Sequence, residues 1–460
     1  MNPDIFRQYD IRGVVGRDLS ADVARQIGHA FSTVLKGQGG KSVAIGRDCR
    51  LSSPLLSGGL VEGLMAGGAE VIDLGMVPTP VLYFNAFDLN TDGAIQLTGS
   101  HNPPDFNGFK MMLGRDPFYG AQIEHLQDII ENKAMETGSG KYVERDDGVE
   151  RYVQWIVERA QMGARPVKVV IDAGNGAAGP SALRLFERLG VEVVPMYCDP
   201  DGRFPNHHPD PTLAENLEGL RQRVLETGAD CGIGYDGDGD RLGVVDGNGE
   251  TLWGDRLMII FAREILRDVP GATILGEVKC SQTLFDDIAA QGGKPLMWKV
   301  GHSLIKAKMK EVGALLGGEM SGHIFFKHRF LGFDDALYAT TRLIEILSQD
   351  DRSLSDRLEG VPDTFVTPEI RLDMGNDKLK FKVAQAIAER FQSGGMPGVR
   401  EVVTLDGVRL IFEDGWGLIR ASNTQPVLVM RAEANSAARC QAISESLSSA
   451  VKQIMEQEEG

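Results

Sequence analysis

Four short stretches of this sequence concentrate side chains that can do chemistry. Thr98 to Pro103 reads TGSHNP and follows the apolar run Ala94-Ile95-Gln96-Leu97. An apolar run that stops at Gly99 presents the Ser100 hydroxyl on a loop at a strand end, where α/β proteins usually keep their chemistry. Serine is a weak nucleophile until something activates it, and His101 is its immediate neighbour. Read alone, a Ser-His pair followed by Pro103 and Pro104 is more often an ordinary polar turn.

Asp236, Asp238 and Asp240 alternate with glycines ahead of Arg241. This spacing lets three carboxylates converge on one point, where they repel one another unless a cation joins them. Carboxylate oxygens favour a hard ion such as Mg²⁺ or Ca²⁺. An EF-hand is excluded: its sixth position would be Arg241 rather than Gly, and its twelfth Gly247 rather than Glu. Mg²⁺ usually takes one or two carboxylates plus phosphate oxygens, so a phosphate ligand is expected nearby. A solvated acidic turn is the competing reading.

The third stretch, Gly318 to His323, reads GEMSGH. Glu319 and Ser321 can bond to sugar hydroxyls, and His323 can move a proton. His302, after Gly301 at a helix start, has a similar but weaker context, and the other histidines have none. The fourth stretch is Arg420-Ala421-Ser422-Asn423-Thr424. A guanidinium, two hydroxyls, an amide and turn N–H groups suit a phosphate, and they also suit a plain Asn/Thr/Pro turn.

The elements that must position these loops follow a repeated order. Val43-Ala44-Ile45-Gly46 reads as a buried strand, Ser53-Pro54 as a helix cap, and Ala69 to Leu74 as a second strand. A segment from Val81 to Leu89 leads to the strand that delivers Ser100. The order returns with the strand Val167 to Ile171, a helix from Pro180, the strand Val191 to Met196, a helix through Leu217 to Leu225, and a strand opened by Gly228-Ala229. It returns again with Thr273-Ile274-Leu275, a helix capped by Ser281, Pro295 to Lys299, a helix Ser303 to Val312, and a strand opened by Gly313-Ala314. Each unit is strand, helix, strand, helix, strand, with a Gly-Ala start to the last strand and a polar loop at its end.

The last hundred residues differ. Thr364 to Leu372 reads as an edge strand because of Pro368, and Lys378 to Phe391 as an amphipathic helix. Val408 to Phe412 and Trp416 to Ala421 flank the hairpin signal Asp414-Gly415, and Val427 to Ala432 follows. The expected domains are 1–147, 148–250, 251–363 and 364–460, the first three α/β and the last a smaller α+β unit.

Composition narrows the partners. With 460 residues, 42% hydrophobic and 25% charged, the chain has the make-up of a globular protein with sizeable cores. Its net charge of −17 argues against nucleic acid and anionic membranes, though not against a small anionic substrate. Five widely spaced cysteines without a C-x-x-C, no signal-like N-terminus and no membrane-length apolar run point to the cytoplasm.

Taken together, the four loops resemble those of the α-D-phosphohexomutase superfamily, nearest its bacterial phosphomannomutase/phosphoglucomutase branch. TGSHNP from Thr98 is similar to that family's phosphoserine loop, DGDGDR from Asp236 to its metal loop, GEMSGH from Gly318 to its sugar loop, and RASNTQP from Arg420 to its phosphate loop. The resemblance implies three related α/β domains with mixed sheets and a smaller C-terminal domain around a central cleft. It implies that Ser100 carries a phosphoryl group which, with Asp236, Asp238 and Asp240, ligates one Mg²⁺. Arg241 would stabilise the transferring group, Tyr9 and Arg12 would line the cleft, and Lys110 and His323 would be acid/base candidates. Lys279, Gly301 and His302 would contact substrate, and a hexose 1,6-bisphosphate such as glucose 1,6-bisphosphate would be intermediate and activator. The implied substrates are mannose and glucose phosphates, Met320 fitting that branch better than a glucosamine mutase. A Mg²⁺-dependent sugar-phosphate phosphatase would not need the phosphate grip at Arg420. The expected assembly is a monomer or weak oligomer.

Overall fold

The protein is described here from a computed structural model, which covers residues 1–375, 377–393, 397–422 and 427–459. Its first three domains repeat one topology. In the first, the parallel strands Gly93–Leu97, Ser42–Arg47 and Glu70–Met76 lie side by side in that order. In the second the order is Cys231–Tyr235, Lys168–Asp172, Glu192–Met196, and in the third Leu316–Gly318, Thr273–Glu277, Lys294–Trp298. Each time the chain then reverses into an antiparallel strand beside the first of the three: Phe106–Leu113, Leu242–Asp246 and Ile324–Phe326. The sheets are therefore mixed, and one topological position, the reversal, carries the serine loop, the acidic loop and the GEMSGH loop in turn.

Helices cover both faces of these sheets, so the central strands read as continuous apolar runs. Val43, Ala44 and Ile45 are all 0% exposed, as are Val169, Val170 and Ile171. One apolar cluster runs without a break from Leu82 through Ile171 to Phe326, so the first three domains share a core. The C-terminal domain has its own core, around Val383, Leu410, Leu428 and Ile443. It meets the third domain through a small patch of Val278, Trp416 and Leu418. Against that patch the buried Arg409 stacks on Trp416 and donates to the carbonyls of Val278 and Cys280 at 2.6 and 2.7 Å.

Several local expectations are corrected. Gly228 and Gly313 do not open strands; both end the preceding helices in the left-handed conformation, and only Gly93-Ala94 begins a strand. Ser52, not Ser53, precedes the helix Ser53–Ala66, and the Ser53 hydroxyl instead donates to Asp48 at 2.7 Å. The edge strand expected over Thr364 to Leu372 breaks at Pro368 into Phe365–Val366 and Ile370–Asp373, both antiparallel to Val427–Ala434. The final helix, Ala437–Glu459, was not anticipated, although Ile443, Leu447, Val451 and Ile454 recur at helical spacing and are buried. All five cysteines are free thiols. Among the described residues no helix is long and apolar enough to cross a membrane.

Candidate active site

The serine loop is held by a residue that the sequence reading passed over. Arg50, 1% exposed, donates to the carbonyls of Ser100, Asn102, Pro103 and Phe106 at 2.5 to 2.9 Å. Asp48 accepts from Arg50 Nε at 3.0 Å and from the Gly99 amide at 3.2 Å, which neutralises the buried guanidinium. Turned inward carbonyls need donors, and one guanidinium supplies them at fixed angles. Ser100 itself has φ of 49°, an uncommon value for a residue with a Cβ, and its amide is tied to Thr98 Oγ1 at 2.7 Å. The result is a rigid turn with the hydroxyl pointing into the cleft.

That hydroxyl donates to Asp236 Oδ2 at 2.8 Å and lies 3.1 Å from His101 Nδ1. Asp236 Oδ1 accepts the amides of Gly239, Asp240 and Arg241, which folds the loop around the carboxylate. Lys110, from the strand Phe106–Leu113, donates to Asp238 and Asp240 at 2.7 and 2.5 Å. Asp236, Asp238 and Asp240 are each 0% exposed, and one oxygen from each lies within 4.8 Å of the others. Burial, with the neighbouring Asp238 and Asp240, pushes Asp236 well above the usual carboxylate range. Burial acts the same way on Asp240, but Lys110 and His323 outweigh it and hold that group well below its usual value. Burial would lower Lys110, and the aspartates more than offset it, so the ammonium stays protonated. Asp238 Oδ1 is buried without a hydrogen-bond partner. Three converging carboxylates, one of which keeps an unpartnered oxygen, fit a divalent cation.

The acidic and GEMSGH loops are stitched together. Arg241 and His323 form an isolated antiparallel bridge, the Leu242 amide donates to the Gly322 carbonyl at 3.1 Å, and Arg241 Nε lies 3.1 Å from His323 Nε2. His323 Nδ1 is 2.6 Å from Glu319, and its Nε2 is 3.2 Å from Asp240. Burial and Arg241 depress His323, but Asp240 and Glu319 prevail and raise it to about 9. Burial would raise Glu319, yet His323 holds it at about 2. The other Glu319 oxygen accepts the Gly301 amide at 2.7 Å, so both oxygens already have protein partners. Ser321 is half-buried in the turn of the same loop.

Tyr9, Arg12, Ser100, His101, Lys110, Arg241, His302 and His323 line one cavity of ≈ 180 Å³, joined by Arg7, Asp10 and Asn102. Arg12 is aimed by Asp10 at 2.5 Å and Asn102 at 2.9 Å. Tyr9 donates to the Val300 carbonyl at 2.8 Å, and a Cβ on Gly301 would lie 2.6 Å from the Tyr9 ring, so only glycine lets the first and third domains meet here.

Lys279 and Arg420 do not line this cavity; they stand beyond it, where the third and fourth domains meet. The Lys279 ammonium is 3.7 Å from Glu369, and Arg431 donates to the Lys279 carbonyl at 3.2 Å. Arg420 is the penultimate residue of the strand Gly415–Ala421 and 5% exposed; its guanidinium donates to Asp406 at 3.1 Å. The same Asp406 oxygen accepts the Val300 amide at 3.0 Å. The Ser422 amide closes on the Val427 carbonyl at 2.9 Å, while Asn423 and Thr424 lie outside the described residues.

Three repeated α/β domains that face a buried serine, an acidic triplet and a cluster of cations define a multidomain enzyme of the phosphoryl-transfer kind. Comparison with known proteins agrees. The chain matches the models of all four phosphoglucomutase/phosphomannomutase domains: alpha/beta/alpha domain I over residues 3–137, domain II over 150–249, domain III over 253–365 and the C-terminal domain over 369–450. It is 49% identical over 432 residues to a phosphomannomutase/phosphoglucomutase of Pseudomonas aeruginosa, covering 94% of this chain and 92% of that one. It is 43% identical to a phosphoglucomutase of Neisseria gonorrhoeae, covering 96% and 95%. A crystal structure of a phosphoglucomutase/phosphomannomutase family protein from Burkholderia thailandensis superposes with a TM-score of 0.92 at 47% identity, covering 98% of each chain. The chain belongs to the phosphoglucomutase/phosphomannomutase family.

Proposed function

We propose that this enzyme interconverts the 1-phospho and 6-phospho forms of mannose and glucose through a phosphorylated Ser100. The observation that carries the reading is the convergence of Ser100, Arg241 and His323 on one cavity from three equivalent loops, with Lys110 lining it from a strand and Asp236 bonded to the serine. Phosphorylated Ser100 gives its phosphoryl group to a free hydroxyl of a hexose monophosphate. The P–O bond to Oγ breaks, a P–O bond to the sugar oxygen forms, and the hydroxyl proton leaves to a base. The bisphosphate then turns round and returns its other phosphoryl group to Ser100. Transfer to water instead would make a phosphatase, which has no use for a second phosphate grip.

Roles follow from the contacts. Arg241 and Lys110 offset negative charge on the moving group, and Arg12 faces it across the cavity. Lys110, bonded to Asp238 and Asp240, and His323, bonded to Glu319 and Asp240, are the two groups placed to move the proton. Asp236, Asp238 and Asp240, with the Ser100 phosphate, would hold one Mg²⁺, which supplies positive charge beside the reacting phosphorus when bound. Arg420 and Ser422, with Asn423 and Thr424, grip the phosphate that is not reacting, while Lys279, Gly301, His302, Glu319 and Ser321 frame the sugar. Glucose 1,6-bisphosphate recharges an enzyme that has lost its phosphate. We place the enzyme in the cytoplasm as a monomer or weak oligomer, with domain limits near 147, 250 and 363.

Intact-protein mass spectrometry after incubation with glucose 1,6-bisphosphate tests the carrier. One phosphate adduct, absent from Ser100→Ala, is expected; an unmodified serine in an active enzyme overturns the mechanism. Coupled assays with mannose 1-phosphate and glucose 1-phosphate then read specificity, and glucosamine 1-phosphate is the control.

A further inference from the structure

Two buried polar atoms near the cleft have no hydrogen-bond partner and face each other: His302 Nδ1 and Asp334 Oδ2, 3.6 Å apart. Asp334 is 0% exposed, and its other oxygen accepts from Lys306 Nζ at 2.8 Å. Its position is fixed from both sides. Asp334 forms a β-bridge with Phe325, two residues past His323, and Asp335 caps the helix Ala336–Gln349 by accepting from the Tyr338 amide. His302 is equally fixed, because it opens the helix His302–Val312 immediately after Gly301, whose amide is bound by Glu319.

We infer that Asp334 is a positioning residue that holds His302 in the tautomer protonated on Nδ1, leaving Nε2 as a hydrogen-bond acceptor toward the cleft. In a dry site, a lone pair on Nδ1 would oppose a carboxylate lone pair, which is repulsive; an N–H there is attractive, and a small rotation of either group closes the 3.6 Å gap. The ring is neutral, because burial first, then the nearby Lys306, Lys110 and His323, depress its protonation and outweigh the carboxylates around it. A neutral ring has one N–H, so protonation at Nδ1 leaves Nε2 bare. Nδ1 is buried, so the part of the ring lining the cavity carries Nε2, which has no protein partner among the described residues.

The chemical consequence is selective. A bare nitrogen accepts from a hydroxyl and repels a phosphate oxygen, which has no hydrogen to give. His302 thus marks its part of the cleft for the sugar ring, amid the cations that draw phosphate. This consequence rests on reading the cleft as a sugar-phosphate site, whereas the tautomer does not.

Long-range ¹H–¹⁵N spectra of the full-length enzyme labelled with ¹⁵N-histidine test the inference without substrate. The His302 signals are identified by their loss in His302→Gln. The expected pattern is a neutral ring protonated on Nδ1; a ring protonated on Nε2, or on both nitrogens at pH 7.5, overturns the inference even if the mutase is fully active. In Asp334→Asn the amide oxygen turns to Lys306 and its NH₂ faces His302, so the tautomer should reverse. KM for the sugar phosphate should then rise roughly tenfold with a smaller change in kcat. A folded Asp334→Asn enzyme with unchanged tautomer and KM also overturns it. If that variant does not fold, the wild-type spectrum decides. Loss of mutase activity in all preparations with the expected tautomer would count against the function and leave Asp334's role standing.

Discussion

Gly237 and Ser100 approach so closely that a Cβ on the glycine would lie 2.4 Å from the serine carbonyl oxygen. The backbone of the acidic loop therefore rests directly on the backbone of the serine loop. The 2.8 Å separation of Ser100 Oγ from Asp236 is made across this close backbone contact.

Gly237→Ala should push the two loops apart. Overpacking of this kind costs about 1–3 kcal/mol, and a displacement near 1 Å at a reacting centre costs on the order of 100-fold in turnover. We expect a folded enzyme with kcat reduced about 100-fold, measured beside a thermal melt. Wild-type kcat would show that the loops can part without harm.

Arg50→Ala should damage both stability and activity, because it strands four carbonyls and the Asp48 carboxylate in a buried site. Breaking a buried, multiply bonded charge costs about 3–5 kcal/mol. Urea denaturation should show a loss of that order, and Arg50→Lys should not restore it, since one ammonium cannot reach all the acceptors.

Chelation should abolish turnover and added Mg²⁺ should restore it, because three buried carboxylates converge and Asp238 keeps an unpartnered oxygen even beside Lys110, Arg241 and His323. Asp238→Asn should raise the Mg²⁺ concentration needed for half-maximal activity by at least about tenfold. Full activity in thoroughly chelated enzyme would refute a metal requirement.

Asp406 joins the Arg420 guanidinium to the Val300 amide, so it ties the C-terminal domain to the sugar-side loop. Asp406→Ala should raise KM about tenfold through lost charge-assisted bonds while kcat changes little. Steady-state kinetics distinguishes this from a fall in kcat alone, which would assign Asp406 elsewhere.

His207 supplies a pH dependence away from the cleft. Its Nε2 lies 3.0 Å from Asp172 and its Nδ1 3.0 Å from the His208 carbonyl, two acceptors that call for both ring protons. Burial opposes that charge, but Asp172 prevails and raises the pKa above its usual value. The group then contributes stability fully below the unfolded value of about 6.5 and loses it as pH rises through the folded one. The stability difference between wild type and His207→Gln should therefore shrink from pH 6 to pH 9 in urea titrations. A difference independent of pH would mean the pair is neutral.

Much of this was legible in the chain. Buried strands announce themselves as apolar runs, as Val43 to Ile45 do, and glycine-spaced Asp236, Asp238 and Asp240 imply convergence before any fold is known. Other features were not legible because they depend on contacts across the chain. Arg50 looks like any arginine after a strand, and only the turned-in carbonyls near Ser100 make it a scaffold. Gly228 and Gly313 carry no local mark that separates a helix end from a strand start.

The sequence by itself determined the repeated α/β order, the loops and the chemistry each loop can do, because these follow from side-chain type and short-range period. Only the tertiary structure decided that each of the three loops stands at a reversal into an antiparallel strand and that the three meet. It also decided that Lys110 reaches Asp238 and Asp240, and that His302 turns its buried nitrogen to Asp334. The physical reason is distance along the chain. Partners 32 to 291 residues apart, such as His302 with Asp334, Lys110 with Asp240 and Tyr9 with Val300, are brought together by sheet topology and a shared core, which no local pattern encodes.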